Sequence, residues 1–246
     1  KYMRSIVNFN RKWSFSKMAA GIPSEISNKW DFVNIPHCWN AIDGQDGDND
    51  YYRGTAYYAK KIVKSVLPEA DRYYLEIKGA NSSADVYLDG EKLFHHDGGY
   101  STWRVDVTEE LKKGTRLGIL VDNSANETVY PQMADFTFYG GIYRDVNIIC
   151  VNDSHFELMH HGGPGLKITP EINGINADVE IETWVVNLKD NQKLRYVIKA
   201  ADGKVVAEKE TTDTKVNLEI NNVHLWHGKK DPYLYTAKAT LIVNGE

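Results

Sequence analysis

Short runs of alternating apolar and polar residues recur along this 246-residue chain. Tyr73, Leu75 and Ile77 alternate with Tyr74, Glu76 and Lys78. Val179, Ile181, Thr183 and Val185 alternate with Asp178, Glu180 and Glu182, and Val216, Leu218 and Ile220 repeat the pattern. A period of two sends successive side chains to opposite faces, so each run predicts a strand with one face on a core and one in water, as in antiparallel sheets. Asp89-Gly90 separates Val86-Tyr87-Leu88 from Lys92-Leu93-Phe94, and Asp202-Gly203 separates Tyr196-Val197-Ile198 from Val205-Val206. Asp-Gly takes the positive φ angles of a two-residue hairpin at little cost, so both pairs predict tight turns. No long amphipathic helix is visible. One helical turn is predicted around Thr108-Glu109-Glu110-Leu111, with Thr108 as its cap.

Short strands at near-regular spacing predict β-sandwiches or barrels. The pattern changes near Val151 to His155, where aromatic, glycine-rich loops give way to the linker His160-His161-Gly162-Gly163-Pro164-Gly165 and then to shorter, cleaner strands. The expectation is two domains: a large sandwich over residues 1–151, and one of about 100 residues, immunoglobulin size, over 152–246. Thr236 to Val243 reads as a strand followed by Asn244-Gly245, a strong hairpin signal that calls for a further strand. The second sandwich is therefore expected to lack its last strand.

Composition narrows the function. The chain is 42% hydrophobic, enough for a sizeable core, and its net charge of -5 is spread without a basic stripe, which argues against a nucleic-acid partner. No apolar run approaches the ~18 residues of a membrane span, and Lys1 opens no signal peptide. Whether the protein is periplasmic, secreted or cytoplasmic stays open. Cys38 and Cys150 cannot form a disulfide scaffold and read as two free, buried thiols. His37 adjoins Cys38, but neighbours on a strand face apart, which argues against a catalytic pair. The triplets Asn81-Ser82-Ser83, Asn126-Glu127-Thr128 and Asn152-Asp153-Ser154 fit the glycosylation acceptor pattern and would mean little in a bacterial protein.

Several chemistries can be set aside. Asp46, Asp48 and Asp50 begin like a calcium loop, but Tyr51 and Tyr57 stand where that loop needs Gly and Glu. A looser cation site stays open, and a carboxylate-rich loop can bond sugar hydroxyls because an ionised Asp offers only acceptors; otherwise the loop reads as a solvated acidic turn. The pairs His95-His96 and His160-His161 are adjacent, and adjacent strand histidines rarely share a metal. No nucleophile elbow, phosphate loop, dinucleotide fingerprint or zinc spacing is present. Trp13, Trp30, Trp39 and Trp103 could face sugar rings, but packing is the expected role of each. Asn126-Glu127 imitates the Asn-Glu pair of glycosidases, yet it sits in a loop of the first sandwich and reads as a decoy.

Several segments follow one another along the chain: Trp13-Ser14-Phe15, Ile35-Pro36-His37-Cys38-Trp39-Asn40, Tyr52-Arg53-Gly54-Thr55-Ala56-Tyr57-Tyr58, Ala84-Asp85-Val86-Tyr87-Leu88-Asp89-Gly90, Gly98-Gly99-Tyr100-Ser101, Asp106-Val107-Thr108, Tyr139 to Val146, Leu225-Trp226 and Pro232-Tyr233-Leu234-Tyr235. Taken in order, they resemble the N-terminal part of glycoside hydrolase family 2, the β-galactosidase and β-glucuronidase group. The resemblance implies an all-β fold, with a jelly-roll (galactose-binding-like) β-sandwich followed by an immunoglobulin-like one. It also implies a (β/α)₈ barrel that carries two catalytic glutamates and works by a retaining mechanism. The chain shows no eightfold strand-helix alternation, so the barrel is absent and no catalytic residue is expected here.

The parent implied by the resemblance is a retaining exo-glycosidase of β-galactosidase type, with β-glucuronidase and β-mannosidase as alternatives. A stand-alone lectin-like module is a further one. The expected partners are a β-linked glycoside or oligosaccharide and the protein's own barrel. A homo-oligomer stays open, as does use of Mg or Na by the parent, while no cofactor is expected in this segment. By position in the family pattern, Asp135 implies a sugar contact, and Asn49 or Asp50 a second one. Arg144 and Asp145 imply architecture: strand neighbours facing apart, each paired with another element.

Overall fold

The computed structural model describes residues 4–17, 30–43, 50–131 and 133–245. The chain divides into two compact units, one up to Asn152 and one from Asp153 onward. In the first, the strands are β1 (Ser5–Asn8), β2 (Trp13–Lys17), β3 (Asp31–Val33), β4 (Thr55–Lys61), β5 (Arg72–Ile77), β6 (Ser83–Leu88), β7 (Glu91–Asp97), β8 (Trp103–Asp106), β9 (Arg116–Asp122) and β10 (Val146–Val151). They form a six-stranded sheet, β3-β2-β4-β9-β6-β7, and a four-stranded sheet, β1-β10-β5-β8. Every pairing is antiparallel. Trp13, Tyr58, Ile119, Leu75 and Ile148 belong to one buried core cluster with contributions from both sheets.

One expected one-sided strand, β5, is buried on both faces. In β5, Tyr73, Leu75 and Ile77 join the core, while Tyr74 and Glu76 on the opposite face are buried as well. β10 is likewise buried throughout. The physical reason at Glu76 is a complete polar set. Arg104 Nε and Nη2 donate to one carboxylate oxygen at 2.8 and 2.7 Å, and Asn147 Nδ2 donates to the other at 2.9 Å. Both side chains of this ion pair are under one-tenth exposed (7% for Arg104, 6% for Glu76), so neither charge tolerates loss of its partner.

The Asp89-Gly90 turn forms as its chemistry predicts, with φ of 47° and 90°. The Asp202-Gly203 turn is longer. β15 (Lys193–Lys199) and β16 (Val205–Thr211) leave five residues between them, and only Gly203 has positive φ. The helical turn is α1 (Glu110–Lys113), but Thr108 does not cap it. Its hydroxyl instead accepts the Tyr73 N–H at 2.9 Å and donates to Asp106 at 2.6 Å. Of the two free thiols, Cys150 is buried, whereas Cys38 is only half-buried.

The second unit holds β11 (His155–Phe156), β12 (Leu166–Asn173), β13 (Asn176–Thr183), β14 (Val185–Val186), β15, β16, β17 (Lys215–Ile220) and β18 (Thr236–Ile242). Its main sheets are β12-β13-β17 and β16-β15-β18, with a small β11-β14 pair. Val179, Ile181, Leu194, Tyr196, Val216 and Leu218 share its core. Here β13 keeps the period-two pattern: Ala177, Val179, Ile181 and Thr183 are buried and the residues between them are not, while Val185, expected on the same face, is half-buried in the separate β14. Among the described residues β18 pairs only with β15, and Asn244 and Gly245 beyond it have φ of 53° and 81°.

Candidate functional site

The stretch from Phe138 to Val146 is the hub of the first unit's loops. Arg144 and Asp145, expected as strand neighbours, precede β10, which begins only at Val146. Before it the backbone is clasped on two sides. His37 and Trp39 donate their N–H groups to Ile142 and Gly140 at 2.8 and 3.1 Å, while Asn81 donates to Gly141 at 3.0 Å. Gly140 lies against the Trp39 indole, where a Cβ would collide with the ring. Gly141 has φ of 135° and abuts the His37 carbonyl, so both glycines are required by close approach. Arg144 and Asp145 take structural partners. Arg144 donates to the Tyr100 carbonyl at 2.8 Å, and Asp145 accepts from Asn10 at 2.8 Å and meets Lys78 at 3.6 Å.

Two fully buried asparagines fasten the surrounding loops. Asn40 accepts the Gly140 N–H at 2.7 Å and donates to Asp43 and to the Tyr52 carbonyl, both at 2.9 Å. Asn123 accepts the Gly54 N–H and donates to the Phe138 carbonyl, both at 2.9 Å, with longer 3.3 Å contacts to Asn40 and Tyr52. Burial raises the Asp43 carboxyl's pKa, but the Tyr52 N–H, Asn40 and Lys17 outweigh it and hold the group below the usual carboxylate range. The Phe138 N–H donates to the Tyr51 hydroxyl at 3.2 Å, and the Arg53 guanidinium lies 5.0 Å from the Phe138 ring centre and 6.0 Å from that of Tyr51.

The loop before β4, which carries Asp50, is therefore tied to the loop before β10, which carries Asp135. Both carboxylates are exposed, and neither has a hydrogen-bond or ion-pair partner among the described residues. Asn49 lies outside the described residues. Around Asp135 the loop is bare: Tyr130 is 80% and Met133 91% exposed, with Phe136 and Tyr139 also open. Such a loop offers carboxylate acceptors beside aromatic faces, which suits a polyhydroxylated ring.

The remaining candidates resolve into structural roles. His37 shares a 2.7 Å hydrogen bond with Tyr58, burial pushes its pKa down, and burial pushes the Cys38 thiol up, so the pair is no nucleophile and base. Asn126 and Thr128 donate to Asp97 at 3.1 and 2.7 Å, a loop clasp rather than a glycosidase pair. His95 bridges Asp85 and Asp97 at 2.6 and 3.2 Å, while His96 stacks on Trp103. Trp13, Trp39 and Trp103 are core residues, and Trp30 is half-buried with its ring against Tyr57. Among the described residues no cluster of three or more His, Cys, Asp or Glu side chains could hold a metal. Asn40 was visible in sequence as the end of the Pro-His-Cys-Trp-Asn element, whereas nothing in the sequence marked Asn123.

Two family models fall on this framework in the expected order. The galactose-binding-like domain of glycosyl hydrolases family 2 matches residues 47–139, and a second family 2 model matches residues 164–246. The chain belongs to glycoside hydrolase family 2. It carries the family's N-terminal region. Among curated family members, a β-glucuronidase of Bacteroides fragilis is 28% identical over 90% of the chain, and a β-galactosidase of Thermoanaerobacter pseudethanolicus is 25% identical over 99%. The chain spans about a third of these relatives' length, 35% and 34% respectively. A solved FMN-binding β-glucuronidase from Facaelibacterium prausnitzii L2-6 superposes with a TM-score of 0.89 at 35% identity, covering all of this chain and 38% of that one. A Bacteroides uniformis β-glucuronidase, solved with a covalent cyclophellitol-type aziridine, gives 0.83 at 28% identity, covering 97% of this chain and 30% of its own.

Proposed function

We propose that this chain is the non-catalytic N-terminal portion of a retaining exo-β-glycosidase, where it shapes the sugar pocket and braces a catalytic barrel. The observation that carries the reading is the polar clasp of Asn40 and Asn123, which holds the Asp50 and Asp135 loops together with both carboxylates unpaired among the described residues. Asp135, and one of Asn49 or Asp50, accept hydrogen bonds from sugar hydroxyls, and the two catalytic carboxylates come from the barrel.

Two observations bear on the sugar. Unpaired aspartates favour a neutral galactoside, because a uronate carboxylate would be repelled by them. The names of the relatives at 35% and 28% identity favour a glucuronide. Hydrolysis of nitrophenyl β-galactoside and β-glucuronide by the full-length protein and by residues 1–246 alone tests both levels. Turnover is expected from the full-length protein only, and the preferred glycosyl group decides between the substrates. Genuine turnover by the segment defeats the non-catalytic assignment.

A further inference from the structure

A groove of about 660 Å³ opens on the second unit, and nothing in the proposed function uses it. Its size lies within the ~300–1,000 Å³ range of small-molecule sites. Trp184 forms part of its wall, and its backbone is held on both sides: the backbone N–H donates to the Gly165 carbonyl at 2.9 Å, and the backbone carbonyl accepts the Glu157 N–H at 2.8 Å. The His160 ring stacks on the half-buried indole with centroids 4.7 Å apart and planes 26° from parallel.

Polar atoms with spare capacity line the same groove. One Glu157 oxygen accepts the Met159 N–H at 2.6 Å, and its second oxygen has no partner among the described residues. The Trp184 indole N–H and the Thr214 hydroxyl likewise have none. Thr183 is different: its hydroxyl is spent inside the unit on Tyr196 at 2.9 Å and on the Thr214 carbonyl at 3.0 Å, so it supplies wall and no contact. The groove thus combines a fixed aromatic platform with a donor, an acceptor and a hydroxyl that can do both.

We propose that this groove is a saccharide-binding site for a neutral oligosaccharide. His160 covers one face of the Trp184 indole and itself meets the His161 ring at 4.6 Å, so the platform is the opposite indole face. That face suits the apolar C–H face of a pyranose, and the indole N–H, Glu157 and Thr214 match its alternating hydroxyl donors and acceptors. The Glu157 carboxylate is the anionic member of the lining, so a uronate-bearing chain is disfavoured.

The test is a titration of the full chain, monitored by indole N–H resonances and by calorimetry. The probes are a neutral galacto-tetraose, a neutral cello-tetraose and an acidic galacturonate trimer. The Trp184 indole resonance should move with at least one neutral probe and stay in place with the acidic one. Trp184→Ala should weaken binding at least ~10-fold, about 1.4 kcal/mol of affinity, and Trp184→Phe should retain most of it. Should Trp184→Ala not fold, the phenylalanine variant and the wild-type indole resonance carry the result. Absence of neutral-sugar binding at about 10 mM overturns the proposal. So does binding that perturbs only the Tyr130 to Tyr139 loop, or binding led by the acidic probe.

Discussion

Asn123→Ala is the perturbation most diagnostic of how the first unit holds its loops. The residue is fully buried, and its side chain closes two good hydrogen bonds, one from the Gly54 N–H and one to the Phe138 carbonyl. Its 3.3 Å contacts matter less, because Tyr52 and Asn40 keep other partners at 2.9 and 2.7 Å. Truncation therefore leaves two backbone groups unsatisfied, at about 1–3 kcal/mol each when buried. Gly54 and Phe138 are only half-buried, so water recovers part of the cost. The expected net loss is about 2–4 kcal/mol. Because Trp184 and Trp226 of the second unit also fluoresce, urea unfolding is followed by the separate indole N–H resonances of Trp13, Trp39 and Trp103, which read the first unit. A lower midpoint at constant slope is expected, with the second unit's transition unmoved. A loss below ~0.5 kcal/mol refutes the idea that this clasp organises the loops.

Three further outcomes follow from the same physical reasoning. Arg104→Met strands the Glu76 charge in the interior and should cost about 3–5 kcal/mol, whereas the double change Glu76→Gln with Arg104→Met should recover much of it; equal losses in the two chemical denaturation curves contradict the buried-pair account. Gly140→Ala forces a methyl into the Trp39 ring and should cost about 1–3 kcal/mol by urea unfolding, with an unchanged midpoint as the contrary result. His95 is hydrogen-bonded to Asp85 and Asp97, which raise its pKa, so its contribution to stability is complete below the ordinary value of ~6.5 and is lost as pH rises through the higher folded value. An NMR titration of His95 should give a midpoint above the ordinary one, and a midpoint at or below it contradicts the bridge.

The sandwiches were legible in the sequence because their signal is local. A buried face repeats every second residue, as Val179, Ile181 and Val216, Leu218 do, and Asp89-Gly90 carries its turn geometry in its own dihedral preferences. What alternation could not reveal is burial of the second face. Glu76 looks like a solvent residue until Arg104 and Asn147, distant in sequence, are brought to it. Thr108 fails as a cap for a similar reason, since Tyr73 and Asp106 compete for its hydroxyl. Within the candidate site, Asp135 was named through the family pattern and lies in an exposed loop, while the buried Asn123 that fastens that loop sits in a stretch with no motif at all. Asp202-Gly203 shows the limit of dipeptide reasoning. A register shift at Ile198/Lys199 accompanies a longer connection than the pair alone predicts.

The claim that this region reaches the sugar rests on Asp135, and kinetics of Asp135→Ala in the full-length enzyme test it most directly. The side chain is exposed and has no partner among the described residues, so its removal should leave stability unchanged. A charge-assisted hydrogen bond to substrate is worth about 1.5–3 kcal/mol, which predicts a fall in kcat/KM of roughly 10- to 150-fold on the preferred nitrophenyl glycoside. Unchanged kcat/KM in a folded variant would contradict the account and leave this loop a purely structural part.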